Sequence, residues 1–507
     1  MKDFVKYTLA TLCGLFLAGI ALFILGILSI AGMMTMESAA PSIKPQSVLR
    51  LTLNGELQED APNDPLGDLF GSTYPTLSLR EIQTAIQGAK ENPNIDGIYI
   101  EAQTLLGATP AMIRDIRESL ADFKKSGKYI IAYGDNYTQG AYYICSIADS
   151  IILNPQGQVN WCGMASQPIF YKDLLEKIGI KMQVFKVGSY KSAVEPFTAT
   201  QMSDANREQV TSYLNDIWQT MLTDVSRSRS IKKDLLNEYA DSMLTFRPAE
   251  ELVRNGMVDS LCYIDGISRM LRAKTGKDKG ALPLVSVKEL AAATEATPKK
   301  GDKIAVYYAY GDIVDRKTEW SENVIDAETV CRDLRTLRED ESVKAVVLRV
   351  NSGGGSAYAS EQIWHEVKLL REAKPVVVSM GGMAASGGYY ISCAANYIVA
   401  EPTTLTGSIG IFGLIPDASQ LLSDKLGLHF DVVKTNAHAD FGTLARPFNP
   451  SEAQMMQGYI QRGYKLFTER VADGRNMKTG QVEKLAEGRV WTCLLYTSPS
   501  PRDGLLS

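Results

Sequence analysis

From Tyr7 to Met34 the chain carries no charged residue. That apolar run is longer than the roughly 20 residues a helix needs to cross a bilayer. It also exceeds the roughly 7–15 apolar residues of a secretory leader. The "ESAAPS" behind it makes a poor cleavage site, so the pattern predicts an uncleaved transmembrane anchor over residues 7–34. Lys2 and Lys6 precede the run and no basic residue follows until Lys44. By the positive-inside rule, residues 1–6 are cytoplasmic. The body then lies beyond the inner (cytoplasmic) membrane, on its periplasmic side.

After the anchor, short β-branched runs alternate with longer stretches of helical period, the pattern of an α/β fold. In the second half, Ala345 to Val350 reads as a strand, followed by "SGGGSAYASEQIWHEVKLLREA", where Ile363, Val367 and Leu370 keep helical spacing. Pro375 to Met380 predicts a strand, Ser386 to Ala395 a helix, and Tyr397 to Ala400 a further strand.

The pattern also repeats at long range. "YYICSIADSIILNP" (Tyr142 to Pro155) recurs without gaps as "YYISCAANYIVAEP" (Tyr389 to Pro402), 247 positions on. "KIGIKMQVFK" (Lys177 to Lys186) recurs as "KLGLHFDVVK" (Lys425 to Lys434), 248 positions on. A period this long marks a duplicated domain and not a solenoid. We place the repeats at 45–288 and 304–492, joined by a polar linker over 289–303 containing a proline.

Composition narrows the function classes. Charged residues make up 22% and the net charge is −5, which leaves no basic stripe for nucleic acid. The seven cysteines form no CxxC pair and keep no regular spacing, so neither a zinc site nor a disulfide scaffold is expected. No metal or cofactor is called for.

The chemistry centres on "GGMAASGGYYIS", Gly381 to Ser392, where Ser386 stands between a strand and a helix. Two readings stand: a nucleophile at the head of a helix, or a small residue that lets helix and strand pack closely. The equivalent position of the first repeat is Gln139, too bulky for a packing role, which favours the nucleophile. A serine hydroxyl needs a proton acceptor. The three histidines, His365, His429 and His438, lie in undistinguished settings, and His365 sits on a helix face that looks solvent-directed. A lysine can serve if desolvation makes it neutral. "FKVGSYKSAVEPF" offers Lys186 and Lys191 in the first repeat; position 439, equivalent to Lys191, is Ala439. One repeat holds the lysine and the other the serine.

Together, "NSGGGSAYASE", "MAASGGYYISCAANYIVAEPTTLTGSIGIFG" and "GSYKSAVEPF" resemble the signal peptide peptidase A family (protease IV) in its long, duplicated form. The resemblance runs to about Trp491. It implies two tandem Clp-protease/crotonase-like domains and a Ser-Lys dyad, with Ser386 as nucleophile, Lys191 as general base and Ser408 orienting the lysine. Trp161 stands in the first repeat where Ser408 stands in the second, as expected of an idle half-site. It further implies backbone N–H donors for the oxyanion from Gly387 with Gly354 or Gly355. The family usually carries proline where this chain has Gly353. The implied substrates are signal peptides, bound as an extended strand with small or apolar side chains in shallow pockets. The implied assembly is a homotetramer whose clefts face an enclosed, membrane-proximal space.

Two other classes compete: a catalytically inactive membrane-bound scaffold, and a crotonase-like acyl-CoA enzyme without a nucleophile. The end of the chain departs from the repeat. After "GRVWT" it reads "CLLYTSPSPRDGLLS", resembling a translated sequencing adapter, and we read 493–507 as a non-native tail on a truncated gene.

Overall fold

The structure is a computed structural model and describes residues 2–36, 42–61, 75–276, 282–296, 301–318 and 323–494. Lys2–Met36 is one helix. Its stretch Lys2–Gly26 has a mean hydropathy of 2.4, none of it buried, and is long and apolar enough to cross a membrane. Tyr7, Leu9, Phe16 and Phe23 all lie open on its surface, where apolar side chains belong if lipid is the solvent.

Each repeat is built on a largely parallel sheet. In the first, the order is Thr76–Ser78, Ser47–Gln58, Ile95–Leu106, Tyr129–Tyr137, Ser150–Val159 and Ser260–Leu261, with Leu284–Ser286 also paired to Ser47–Gln58. In the second it is Lys303–Tyr310, Val343–Ser352, Val376–Ala385 and Leu405–Gly407, closed by the antiparallel Val490–Thr492. Tyr397–Ala400 also pairs with Val376–Ala385. The central strands are rich in Val and Ile because helices cover their faces. Val346, Leu348, Val350, Val376 and Val378 are all buried in one core with Ile363, Val367 and Leu370 of the helix Ala357–Ala373.

The expected α/β class holds, with three differences in detail. The helix after the serine is shorter than expected: it spans Gly387–Ser392, with Ser386 as its N-cap. The preceding strand is longer, Val376–Ala385. The linker expected over 289–303 begins inside a helix and ends at a strand, with 297–300 outside the described residues. Val287–Glu295 is a helix with a capping box between Ser286 and Glu289, and it buries Leu290 and Ala291 in the first repeat's core. Its alanine-rich, weakly amphipathic sequence hid a helix that tertiary packing stabilises. Lys303 already opens the next strand. Of the tail, Cys493 and Leu494 are described; 495–507 lies outside the described residues.

A short joint ties the repeats together. Lys181–Lys186 of the first pairs antiparallel with Phe412–Asp417 of the second, Phe412 opposite Lys186 and Asp417 opposite Lys181. Phe185 stacks there on Phe448 with ring centroids 5.9 Å apart. This ribbon carries the following loop of the first repeat onto the second.

Candidate active site

Ser386 sits at the sharp turn between strand and helix, with φ 53° and ψ −118°. A non-glycine residue at positive φ is strained by about 1–3 kcal/mol and persists only where its surroundings hold it. Here its N–H donates to the Gly407 carbonyl at 2.9 Å. The neighbouring backbone is held from the side as well, since Thr406 Oγ1 donates to Ala384 O at 2.8 Å. The Ser386 side chain makes no cap bond to its own helix. Its hydroxyl is therefore free for another partner.

That partner arrives from the other repeat. Lys191 Nζ lies 3.1 Å from Ser386 Oγ, 2.9 Å from Ser408 Oγ and 3.0 Å from the Ser408 carbonyl. The lysine is 3% exposed. No carboxylate pairs with it among the described residues, and burial alone pushes its pKa down to about 8. A neutral amine has two N–H groups and one lone pair. If the Ser408 carbonyl and hydroxyl take the two N–H groups, the lone pair is left facing Ser386.

Three glycines let the backbone close around the lysine stem. A Cβ on Gly488 would stand 2.6 Å from Lys191 Cβ, one on Gly188 would stand 2.3 Å from the Glu487 carbonyl oxygen, and one on Gly410 would stand 3.1 Å from Gly488 Cα. Tyr190 N–H donates to Glu487 O at 3.0 Å, and Ser408 N–H to Arg489 O at 2.6 Å. Gln209, itself buried, bridges the lysine loop to this strap: its amide nitrogen donates to Tyr190 O and Ser192 Oγ, and its oxygen accepts from Val490 N–H. Sequence reasoning missed both Gln209 and the strap 487–490. The glycine in "AEGRVW" was the available signal, but only the fold brings it to the lysine.

The first repeat also supports the nucleophile strand through a buried ion network. Arg349 Nε donates to Glu59 at 2.9 Å and its Nη2 to Asp115 at 2.7 Å. Glu59, 2% exposed, also accepts from Asn351 Nδ2 at 2.9 Å, and Asn351 Oδ1 accepts from Met383 N–H at 3.1 Å. A first-repeat carboxylate thus fixes the strand three residues before Ser386. Asn351 was visible in the glycine-loop motif, but its partner was not.

Of the expected oxyanion glycines, Gly354 has its N–H engaged by Ser352 Oγ at 3.1 Å. Its contribution is steric: a Cβ there would stand 2.6 Å from Gly387 N. Gly355 and Gly387 instead line a cavity of about 620 Å³ beside Ser386. Tyr358, Ile411, Phe412, Ile415, Tyr459 and Leu466 make most of it apolar. The helix Pro450–Arg475 packs on the ribbon beside this cavity, Gln457 Nε2 donating to Lys186 O at 3.3 Å, and adds Met456, Tyr459 and Ile460 to its lining. The histidines take no part: all three are exposed, and His438 faces Glu452 at 3.3 Å.

Comparison with known proteins identifies the family. The model of peptidase family S49 matches residues 122–277 and again 368–494. The chain belongs to that family. Its two matched stretches fall one in each sheet's half of the chain, and a Clp protease model matches 312–404. Protease 4 of Salmonella typhi is 40% identical over 462 residues, 88% of this chain and 74% of that protein. Protease 4 of Haemophilus influenzae is 35% identical over 92% of this chain and 78% of its own length. The chloroplastic serine protease SPPA of Arabidopsis thaliana is 32% identical over 89% of this chain and 66% of its own. This S49 chain is a serine protease with a Clp-protease-like α/β fold, which sets aside the scaffold and acyl-CoA readings.

Proposed function

We propose that this S49 protease is a membrane-anchored endopeptidase that works through a Ser386–Lys191 dyad on signal peptides. The observation that supports it most is the buried Lys191 amine 3.1 Å from Ser386 Oγ. A peptide lies extended along the cleft, its main chain paired with a strand edge, an apolar side chain in the cavity and its carbonyl over Ser386. Neutral Lys191 takes the Ser386 proton as Oγ attacks the carbonyl carbon. The N–H groups of Gly355 and Gly387 receive the oxyanion. Collapse of the tetrahedral intermediate breaks the C–N bond, and protonated Lys191 gives its proton to the leaving amine. A water then repeats the sequence on the acyl-enzyme. Ser408 keeps the amine aimed throughout.

The apolar cavity suits the apolar core of a signal peptide. The N-terminal helix would keep the protease beside such peptides, with its body on the periplasmic side and the homotetramer enclosing the clefts. The test is labelling of the detergent-solubilised full chain by a fluorophosphonate, with cleavage of an apolar leader peptide and a polar peptide of equal length. Labelling that depends on Ser386 and preferential cutting of the leader are expected. Undiminished labelling in Ser386→Ala overturns the dyad, and equal cutting of both peptides overturns the substrate class.

A further inference from the structure

The strand that delivers Ser386 is broken by a bulge. Val350 lies opposite Met380 and Ser352 opposite Ala384, so the single residue Asn351 faces the three residues Gly381–Met383. Bulges bend a strand and re-aim the residues beyond them, and this one changes the strand's neighbour. Up to Met380 the strand pairs with Tyr397–Ala400; from Met383 onward it pairs with Leu405–Gly407. The new neighbour accepts the Ser386 N–H at the Gly407 carbonyl and leads into Ser408, which holds Lys191. Where Ser386 stands against the lysine therefore depends on the bulge.

Much of what holds the bulge comes from the first repeat. Asn351 Oδ1 accepts from Met383 N–H at 3.1 Å, and its Nδ2 donates to Glu59 Oε1 at 2.9 Å. Arg349 Nε donates to the other Glu59 oxygen at 2.9 Å, while its Nη1 donates to Ser379 Oγ at 3.1 Å and Met380 O at 3.3 Å, where the bulge begins. Thr404 Oγ1 donates to the Gly381 carbonyl at 2.8 Å. Two glycines admit the clamp. A Cβ on Gly381 would stand 2.4 Å from Glu59 Oε1 and 2.9 Å from Asn351 Cβ, and one on Gly382 would stand 2.2 Å from Thr109 Oγ1. Thr109 is the N-cap of the first-repeat helix Pro110–Lys124. The pair Gly381–Gly382 thereby gains a reason that the serine chemistry does not give it.

We propose that Glu59 is a positioning residue for proteolysis: anchored on Arg349, it orients Asn351, and Asn351 fixes the bulge that sets Ser386 against Lys191. The first repeat then supplies a clamp as well as a base to the site on the second. This rests on Ser386 as the nucleophile. The bonds to Glu59 are charge-assisted, which gives them both strength and direction. Losing them moves the serine but not the lysine, whose contacts with Ser408 lie outside the clamp.

The test measures peptide hydrolysis across pH, and fluorophosphonate labelling, in the detergent-solubilised full chain. Glu59→Gln keeps the volume and removes the charge. Asn351→Ala removes both amide bonds and leaves Arg349 paired with Glu59 and Asp115. Each should lower kcat about 10- to 100-fold, leave KM nearly unchanged and keep the pH midpoint of the unaltered enzyme. In the double variant the losses should not add, because the two residues act as one unit. A clamp that served folding alone would lower stability without lowering kcat of the folded chain, or would let water reach the lysine and raise the midpoint. Wild-type kcat in either folded variant, additive losses, or a midpoint that rises as kcat falls overturns the proposal. If Glu59→Gln yields no folded chain, Asn351→Ala decides alone. Labelling that survives Ser386→Ala with the clamp intact would instead overturn the dyad.

Discussion

The two strand-to-helix turns, Thr138–Gln139 in the first repeat and Ala385–Ser386 in the second, differ in how their polar groups are held. Thr138 sits at φ −65° in extended backbone and its hydroxyl caps the helix by accepting from Ala141 N–H. Gln139 behind it accepts from Cys162 and Gly163 N–H and donates to Gly163 O. Every polar group named there has a local partner. Trp161, at the place of Ser408, is fully buried and donates to Leu236 O at 2.9 Å. In the second repeat the cap bond is gone, the serine is held at positive φ, and a lysine is kept out of water beside it. The first repeat's turn is locally satisfied. The second repeat's turn is held in place by its neighbours.

Removing the lysine tests that contrast most severely. Lys191→Ala and Ser386→Ala should each lower peptide hydrolysis by about 10⁴-fold or more, and the double variant should be no worse, because the pair acts as a unit. In the unaltered enzyme the rate should climb about tenfold per pH unit up to about 8 and then level, as the amine loses its proton. Stability should move the other way in Lys191→Met. A folded pKa of about 8 against the ordinary lysine value of 10.5 means the buried charge costs the fold up to about 3 kcal/mol below pH 8. The variant should therefore be more stable in urea at pH 7, with the gap closing between pH 8 and 10.5. Rates independent of pH from 6 to 9, or full activity in a folded Lys191→Ala protein, would end this account.

The strap comes next. Gly488 has φ +75°, and a Cβ there runs into Lys191 Cβ, Cα and N within 2.8 Å. Backbone cannot yield as a flexible side chain can, so Gly488→Ala should displace the lysine from Ser386. A shift near 1 Å costs about 10²-fold in turnover, with KM little altered because the cavity wall is elsewhere. Circular dichroism would check that the chain still folds. Wild-type turnover in that variant would mean that the strap does not set the lysine.

How much of this could be read in advance depended on whether a feature is local. The alternation of β-branched runs gave the α/β class, and "MAASGGYY" gave the serine, because both are properties of a few adjacent residues. The lysine became a candidate through the offset between repeats, which showed one half missing what the other held. Its burial, and the Gln209 and Gly488 contacts that enforce it, arise from segments between 18 and 297 positions away, which no local pattern records. The same is true of Glu59 reaching Asn351. The helix at Val287–Glu295 was hidden for the opposite reason: its sequence is locally bland, and its place is fixed only by the core it covers.

Ser408→Ala should have a smaller effect. The Ser408 carbonyl still accepts from Lys191 at 3.0 Å, so the amine loses one of its two fixed partners. We expect a fall of about tenfold in kcat, in line with one removed hydrogen bond of roughly 1 kcal/mol, and a displaced pH midpoint. An unchanged pH profile would show that the hydroxyl does not act through the lysine.

The smallest effect is expected in the first repeat, and it is the sharpest check on the comparison. Gln139→Ala removes the side chain that holds Cys162 and Gly163, so it should destabilise the first repeat by about 1–2 kcal/mol and leave peptide hydrolysis unchanged. Gln139→Ser goes further by restoring the hydroxyl that this repeat lacks. It should still gain no reactivity toward fluorophosphonate in a Ser386→Ala background. Thr138 would continue to cap the helix with its backbone in the extended region, so the new serine would not adopt the positive-φ turn. The position equivalent to Lys191 is the exposed Ala439, and Trp161 fills the place of Ser408. Labelling at position 139 in that double variant would mean that a hydroxyl at the head of this helix is enough, and that neither the strained turn nor the buried lysine is what separates the two halves.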